Sequence, residues 1–203
     1  MVFTFDDLIL KYHNFTDVKG KIRRDVQSRR LIQIRRGLYE SDSQIAGEYL
    51  AGLIYGPSYL SFDYALYTYS MIPETVYNTY TSATFLKNKT KLYTNAFGTF
   101  TYRDVPSSVY NIGVEIRLAE SHDYSYQIAS PEKALCDKLY SLSPVRSLRD
   151  LREMLFDDLR IDLDEFKKLK FADIRKFAPL YNSTSLKLLT KFVEDGGAIC
   201  KLF

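Results

Sequence analysis

The first forty residues show a helical spacing of apolar positions that gives way to a strand-like spacing. Thr4 precedes two aspartates and an apolar run, which is typical of a capped helix start. A second helix is predicted from a cap at Thr16 or Asp17 to about Arg30. Its apolar side is one narrow stripe with a spacing of four residues: Val18, Ile22 and Val26.

The segment that follows predicts a short β-hairpin. Leu31 to Ile34 favours a strand, Arg35, Arg36 and Gly37 form a tight turn, and the strand pattern returns at Leu38. Two short helices followed by a hairpin with arginines at its tip predict a small winged helix-turn-helix over residues 1–40.

Residues 41–203 are predicted to form a second domain. Asp42-Ser43 and Ser61 are candidate caps of two helices, strand-like segments fill 76–128, and Ser130 caps a further helix. Helical patterns then continue to the end of the chain: 148–159, 163–169, 171–180 and 183–193. We therefore expect an α+β fold with a mostly antiparallel central sheet and a helical C-terminal part.

Positive charge is concentrated in the N-terminal domain. Residues 18–36 contain eight Lys and Arg residues and one acid, Asp25, which is a net charge of +7. The remaining chain has 20 basic and 24 acidic residues, a net charge of −4. A solvated basic helix would also explain such a run, but the arginine-tipped hairpin beside it favours a surface that binds a polyanion.

Helical spacing assigns roles to these residues if the second helix enters the major groove of duplex DNA. Arg24 and Gln27 lie opposite the apolar stripe and are predicted to reach base edges, and Gly20 would let the backbone approach closely. Four basic residues are predicted to contact phosphates: Lys19, Lys21, Arg23 and Arg30. Arg35 and Arg36 on the wing would enter the minor groove or hold its phosphates.

The sequence offers few groups for catalysis. His13 and His122 fall in different predicted domains, and the chain contains no P-loop and no H-E-x-x-H, G-x-S-x-G or G-x-G-x-x-G motif. The pairs Glu132-Lys133 and Asp137-Lys138 are residue types of nuclease chemistry, but without a second carboxylate cluster they indicate ion pairs on a helix surface. We therefore expect no enzyme activity, no metal and no cofactor.

Cysteine use and hydropathy predict a cytoplasmic protein. Cys136 and Cys200 make neither a disulfide framework nor a zinc site, and Cys136 is predicted to be a buried thiol. No apolar run reaches the roughly 18 to 20 residues of a membrane span, and the acidic start of the chain is unlike a signal peptide. We expect no membrane partner.

Two further patterns each leave two interpretations open. Thirteen of the 17 tyrosines fall between Tyr49 and Tyr126, where they serve either a contact surface or the core and the sheet rim. A second basic strip either extends the nucleic-acid surface or protects a strand edge from aggregation: Lys87, Lys89, Lys91 and Arg103.

Four segments, in order along the chain, share a family pattern: DVKGKIRRDVQSRRLIQIRRGLYE, IAGEYLAGLIYGPSYLSFDYAL, MIPETVYNTYT and YQIASPEKALCDKLY. Together they resemble the AbiEi-type antitoxins of abortive-infection, type IV toxin–antitoxin systems. The resemblance covers roughly residues 17 to 142. The positions that match the family's basic helix and wing are Lys19, Lys21, Arg23, Arg24, Arg35, Arg36 and Gly37.

The resemblance implies an autorepressor that binds operator DNA upstream of its own operon. It also implies that the C-terminal domain counters a cognate toxin of nucleotidyltransferase-like fold, without a stable complex being required. Because one small module rarely buries enough surface for tight specific binding, we expect two copies on an inverted repeat. A transcription regulator without a toxin and a metal-dependent nuclease with a DNA-binding module are the alternatives.

Overall fold

The computed structural model describes residues 1–73, 77–119 and 124–194, so His122 and Cys200 lie outside the described residues. Within these ranges the chain has the predicted α+β composition, with nine α-helices and two β-sheets.

The N-terminal module consists of two helices and a three-stranded antiparallel sheet. Its elements are β1 (Val2–Thr4), α1 (Phe5–Lys11), α2 (Val18–Gln27), β2 (Ile32–Arg35) and β3 (Leu38–Glu40). The strand order is β1-β3-β2. Strand β1 was not predicted, because three residues directly before a helix are too few to show the period of a strand.

The predicted helix starts of this module are confirmed. The Thr4 Oγ1 accepts a hydrogen bond from the Asp7 amide at 3.2 Å, and the Thr4 amide donates to the Asp7 carboxylate at 2.8 Å. Asp17, one of the two predicted residues, caps α2. This helix ends at Gln27, three residues before the predicted end, and Arg29 beyond it has a left-handed φ of 58°.

The second part of the chain contains the remaining helices and strands. They are α3 (Gly47–Ile54), β4 (Tyr59–Leu60), α4 (Phe62–Thr68), β5 (Thr79–Thr84), β6 (Lys91–Asn95), β7 (Gly98–Asp104), β8 (Val114–Leu118), β9 (Ser125–Ala129), α5 (Pro131–Ser141), α6 (Leu148–Glu153), α7 (Leu163–Lys168), α8 (Phe171–Phe177) and α9 (Thr184–Glu194). A π-helical turn, Met154–Asp158, continues α6, and a 3₁₀ turn, Ala178–Tyr181, continues α8.

The six strands β4 to β9 form one sheet in the order β6-β7-β5-β4-β9-β8. Three neighbouring pairs are antiparallel, and two pairs, β5 with β7 and β4 with β9, are parallel. The central sheet is therefore mixed, although antiparallel pairs predominate as predicted. The parallel pairs arise because β7 inserts between β5 and β6, and because the two-residue strand β4 enters the middle of the sheet.

Two predicted helix caps act differently in the structure. Asp42-Ser43 does not cap α3, which begins four residues later at Gly47, and the Asp42 carboxylate instead accepts from the Gln44 amide at 2.8 Å. Ser61 does precede α4, but its hydroxyl makes no capping hydrogen bond. Ser130 caps α5 as predicted.

The described residues form two hydrophobic cores. The small core lies within the N-terminal module and contains Leu8, Ile22, Leu31 and Tyr39. The large core fills the second part, and Ile34 and Leu38 of the N-terminal strands belong to it. The module therefore packs against the body, where Asn95 Nδ2 on β6 also donates to the Ile34 carbonyl at 3.0 Å.

Candidate nucleic-acid interface

Helix α2 buries its apolar stripe in the small core and exposes its polar side. Ile22, at the centre of the stripe, is buried. The residues opposite or beside the stripe are exposed: Lys19, Arg23, Arg24 and Gln27. The Arg24 guanidinium has one acidic neighbour, the Asp17 carboxylate at 4.0 Å, a long surface contact of small energy.

Lys21 differs from its basic neighbours because its ammonium group has an internal partner. Its Nζ donates to Asp25 Oδ1 at 2.6 Å, and only 17% of its side chain is exposed. The ammonium also lies 5.3 Å from the ring centre of Tyr12 and 5.5 Å from that of Phe15. The structure therefore places Lys21 within the module and not on its outer surface.

Asp25, the one acid of the 18–36 run, is buried and organises the end of α2. Its backbone carbonyl accepts from the amides of Arg30 and Leu31 at 2.9 and 3.1 Å. Burial by itself raises the pKa of the Asp25 carboxyl, but the hydrogen bonds from Lys21 and Tyr12 bring the pKa below its usual value. Arg30 lies 3.7 Å from the same carboxylate, yet its side chain is largely exposed and can still reach a phosphate.

Gly20 is explained by a contact inside the helix. A Cβ at this position would lie 1.7 Å from an oxygen of the Asp17 side chain, whose other oxygen accepts from the Gly20 amide at 2.8 Å. A side chain at position 20 would therefore displace the Asp17 carboxylate from its present position in the cap, whether or not DNA approaches the backbone.

The predicted wing is a two-residue turn that joins β2 to β3. Gly37 has a φ of +79°, which favours glycine, and its carbonyl accepts from the Phe5 amide at 3.0 Å. The pairing of β2 with β3 shifts register between Gln33 and Arg35. Arg35 and Arg36 are both exposed at this turn.

Seven of the eight residues predicted to contact DNA are thus exposed, and Lys21 is the exception. Both lysines lie beside the apolar stripe, and only Lys21 has an aspartate four residues later, but such a pair forms on exposed and buried helix faces alike. The difference arises from Tyr12 and Phe15, which the packing of α1 brings over one of the two lysines.

The second basic strip follows an edge of the large sheet. Lys91 begins the edge strand β6, which confirms the edge position, and Arg103 is exposed on β7 beside it. The Lys87 ammonium lies 5.5 Å from the ring centre of Tyr55.

The tyrosines divide between core and surface. Four of those in the 49–126 segment are buried: Tyr59, Tyr64, Tyr102 and Tyr110.

The prediction of surface ion pairs on α5 is wrong for Glu132, Lys133 and Asp137, whose side chains are all buried. The Lys133 Nζ donates to Asp137 Oδ1 at 2.6 Å, and the Tyr181 hydroxyl donates to the same oxygen at 2.5 Å. The second oxygen of Asp137 accepts from the hydroxyls of Ser61 and Tyr59 at 2.7 and 3.0 Å. Asp137 and these four donors, which we call the Asp137 network, link β4, the start of α4, α5 and the turn before α9.

Burial controls the ionisation of the Asp137 network. It lowers the pKa of the Lys133 ammonium, and the neighbouring Asp137 carboxylate offsets part of this effect. It raises the pKa values of Tyr59 and Tyr181 well above the ordinary value, and the carboxylate raises them further. Cys136, on the same helix, is a buried thiol as predicted, and burial raises its pKa.

The residues between Lys133 and Asp137 indicate in the sequence that this part of α5 is buried. Ala134, Leu135 and Cys136 are consecutive and apolar, and together they cover about 200° of the helix circumference. Such a helix has no wide polar side, and in the structure α5 contacts α4, α8, α9 and β9.

The carboxylates of α5 are occupied by internal donors. Glu132 accepts from the Lys170 amide at 2.9 Å, and Asp137 accepts the four hydrogen bonds described above. Within 1–73, 77–119 and 124–194, no three residues among His, Cys, Asp and Glu come together as a metal site. Of the helices in those ranges, none has the length and apolar character to span a membrane.

Comparison with protein-family models and with curated proteins finds no match to this chain.

Proposed function

We propose that this chain is a non-enzymatic protein that binds operator DNA through residues 18–36 and represses its own operon. We further propose that it is the antitoxin of a type IV toxin–antitoxin pair whose toxin has a nucleotidyltransferase-like fold. The observation that carries the DNA-binding proposal is the exposure of seven predicted contact residues on one module, whose apolar side is buried. The antitoxin proposal is supported by the family resemblance of the sequence.

Arg24 and Gln27 are assigned to base readout. They are three residues apart on the exposed side of α2, so their side chains are neighbours on the helix surface. Arginine suits the two acceptors of guanine in the major groove, and glutamine suits the donor and acceptor of adenine.

Phosphate contacts are assigned to five exposed basic residues: Lys19, Arg23, Arg30, Arg35 and Arg36. Lys21 is removed from this set, because its charge is already paired with Asp25 at 2.6 Å. With only two helices and a two-residue wing, the module is small, which favours binding of two copies to an inverted repeat.

The geometry of α5 argues against the nuclease alternative. A metal-dependent nuclease needs carboxylates that are free to ligate a cation, whereas Glu132 and Asp137 are buried and already accept hydrogen bonds from protein donors. A regulator without a toxin partner remains the second candidate, and it shares the DNA-binding surface.

DNA binding is tested by a mobility-shift titration with the DNA upstream of the gene, in excess competitor. The wild type is compared with an R35A/R36A variant and with R146A/R149A, a matched control that removes two exposed arginines outside the module. Competitor-resistant binding that only the wing variant loses supports the proposal. Equal loss in both variants, or no binding that resists competitor, contradicts it.

The antitoxin proposal is tested by co-expression with the product of the neighbouring gene, scored for rescue of growth. Point variants are preferable to deletion of the module, because Ile34 and Leu38 belong to the large core. We expect R35A/R36A to retain rescue while it loses repression. Failure of the wild type to rescue growth contradicts the antitoxin proposal and leaves the DNA-binding proposal standing.

A further inference from the structure

The strand β8 forms one edge of the large sheet in the part of the chain that the structure describes. Two of its aliphatic side chains are strongly exposed, Ile116 at 73% and Leu118 at 74%. The opposite edge strand, β6, begins with a lysine and is joined to the N-terminal module through Asn95. Three of the five residues of β8 are aliphatic, and the strand contains neither lysine nor proline, so its edge is an open template for pairing with another strand.

The register of β8 with β9 shows which backbone groups face this open edge. The Ser130 amide bonds to the Gly113 carbonyl and the Ala119 amide bonds to the Tyr124 carbonyl, both at 2.8 Å. In an antiparallel pair, hydrogen-bonded positions recur at every second residue, so Glu115 and Arg117 also direct their backbone groups toward β9. The backbone groups of the alternate residues point outward: Val114, Ile116 and Leu118.

The side chains of β8 are self-complementary under a two-fold rotation. Antiparallel pairing of two copies centred on Ile116 places Val114 opposite Leu118 of the second copy, and Glu115 opposite Arg117. The aliphatic residues share one face of the sheet, and the charged pairs lie on the other face.

Pairing centred on Ile116 also gives hydrogen-bond partners to the outward-facing backbone groups of β8. Every outward-facing residue meets an outward-facing residue of the second copy, which gives six main-chain hydrogen bonds across the seam. Glu115 and Arg117 then face each other at positions without hydrogen bonds, where side chains lie closest. Within one copy their charged groups are 3.8 Å apart, and the Arg117 guanidinium also lies 4.5 Å from the ring centre of Tyr69. Both side chains are partly exposed, so a partner strand can contact them.

We propose that β8 is a homodimer interface, in which two copies of this chain pair their edge strands about Ile116 into one continuous sheet. The partner is a second copy, because the sequence Val-Glu-Ile-Arg-Leu complements itself in both charge and hydrogen-bonding register. The seam of two five-residue strands is small against the roughly 1,200 to 2,000 Å² of stable complexes, so the dimer is weak and concentration-dependent. The proposal concerns the free protein and does not depend on DNA or toxin binding.

The first test is a charge swap measured by sedimentation velocity over a wide concentration range. Glu115→Arg and Arg117→Glu each place like charges opposite each other twice in the dimer. Each variant alone is expected to self-associate at least about tenfold more weakly than the wild type. A mixture of the two variants has opposite charges at all four positions and is expected to recover association as a heterodimer, which also shows that both are folded.

The second test addresses the backbone. Ile116→Pro removes the outward-facing amide, which has no part in the pairing with β9, so the monomer keeps its ladder while the dimer loses its two central hydrogen bonds. Loss of association with an unchanged circular dichroism spectrum supports the seam. A wild type that stays monomeric at all concentrations, or charge variants that associate as the wild type does, overturns the proposal.

Discussion

Replacement of Asp137 by asparagine tests whether the Asp137 network holds the second part of the chain together. The carboxylate accepts hydrogen bonds from Lys133, Tyr181, Ser61 and Tyr59 at 2.5 to 3.0 Å. An asparagine replaces one acceptor oxygen with an NH2 group, so the hydroxyls of Ser61 and Tyr59 can no longer donate at that position and must turn to accept instead. The buried ammonium of Lys133 loses its counter-charge.

The expected loss is large. Removal of one partner from a buried ion pair costs about 3 to 5 kcal/mol, because the other charge stays buried and uncompensated. For a chain of this size, 1 kcal/mol corresponds to about 2 to 4 °C in the unfolding midpoint, so D137N is expected to unfold about 6 to 20 °C below the wild type. Tyr181→Phe leaves the ion pair in place and removes only the hydroxyl that donates to Asp137 and accepts from Lys133. It is expected to cost about 1.5 to 3 kcal/mol, so it remains measurable if D137N does not fold.

Thermal and urea unfolding, followed by circular dichroism, measure these losses. The matched control is Lys168→Gln, which breaks an ion pair of the same 2.6 Å length on the surface of α7, where solvent screens it. If D137N is no less stable than K168Q, the reasoning is refuted. That result would mean that Lys133 does not depend on Asp137 for a buried counter-charge.

The pH dependence gives an independent check with a definite sign. Burial lowers the pKa of Lys133, and D137N removes the carboxylate that offsets this effect. The folded variant then binds fewer protons than the unfolded chain over a wider pH range below the ordinary lysine value of about 10.4. Its free energy of unfolding therefore rises with pH relative to the wild type, and a gap that widens between neutral pH and that value contradicts the assignment.

Three further predictions concern DNA binding and the tyrosines. Five phosphate contacts per protomer give a slope of log affinity against log salt concentration of about −4 to −5. Lys19→Gln is expected to flatten this slope by about 1, and Lys21→Gln is expected to leave it unchanged. Equal effects of the two variants would mean that Lys21 is not held by Asp25. Arg24→Ala is expected to relax sequence preference in a competition binding assay, whereas Lys19→Gln weakens all sequences alike; the reverse pattern would exchange their roles. Burial raises the pKa of eight tyrosines: Tyr12, Tyr59, Tyr64, Tyr69, Tyr80, Tyr102, Tyr110 and Tyr181. Since the folded chain keeps these protons above the ordinary pKa of about 10, stability falls as pH rises past that value. Ultraviolet titration of the folded protein is expected to show that these tyrosines ionise above about pH 10. If all tyrosines ionise together near about pH 10 in the folded protein, the buried assignments are wrong.

Local signals in the sequence predicted local structure well. The caps at Thr4, Asp17 and Ser130 are correct because each depends on a side chain that bonds to an amide two or three residues away. The order of the strands was not predictable in this way. The strand β4, which lies between β5 and β9 near the middle of the sheet, consists of only two residues, Tyr59 and Leu60. A strand of that length has no periodicity to detect.

The errors about charged residues share one physical cause. Lys21 and Lys133 look like exposed helix residues in the sequence, and each is paired with an aspartate four residues later at 2.6 Å. Whether such a pair lies on the surface or in the interior depends on what packs over it, and the covering groups come from other elements. For Lys133 one of them is Tyr181, 48 residues away.

The pairing of Lys21 with Asp25 also explains why no acid interrupts the exposed positive charge of residues 18–36. The only acid within residues 18–36, Asp25, neutralises Lys21, whose side chain is largely buried. The other seven basic residues of the segment all face solvent, so the net charge of +7 lies entirely on the surface. An acid on the exposed side of α2 would repel a phosphate backbone, whereas a buried one fixes the end of the helix from which Arg30 projects. The position of Asp25 is therefore what allows this segment to be both folded and strongly basic.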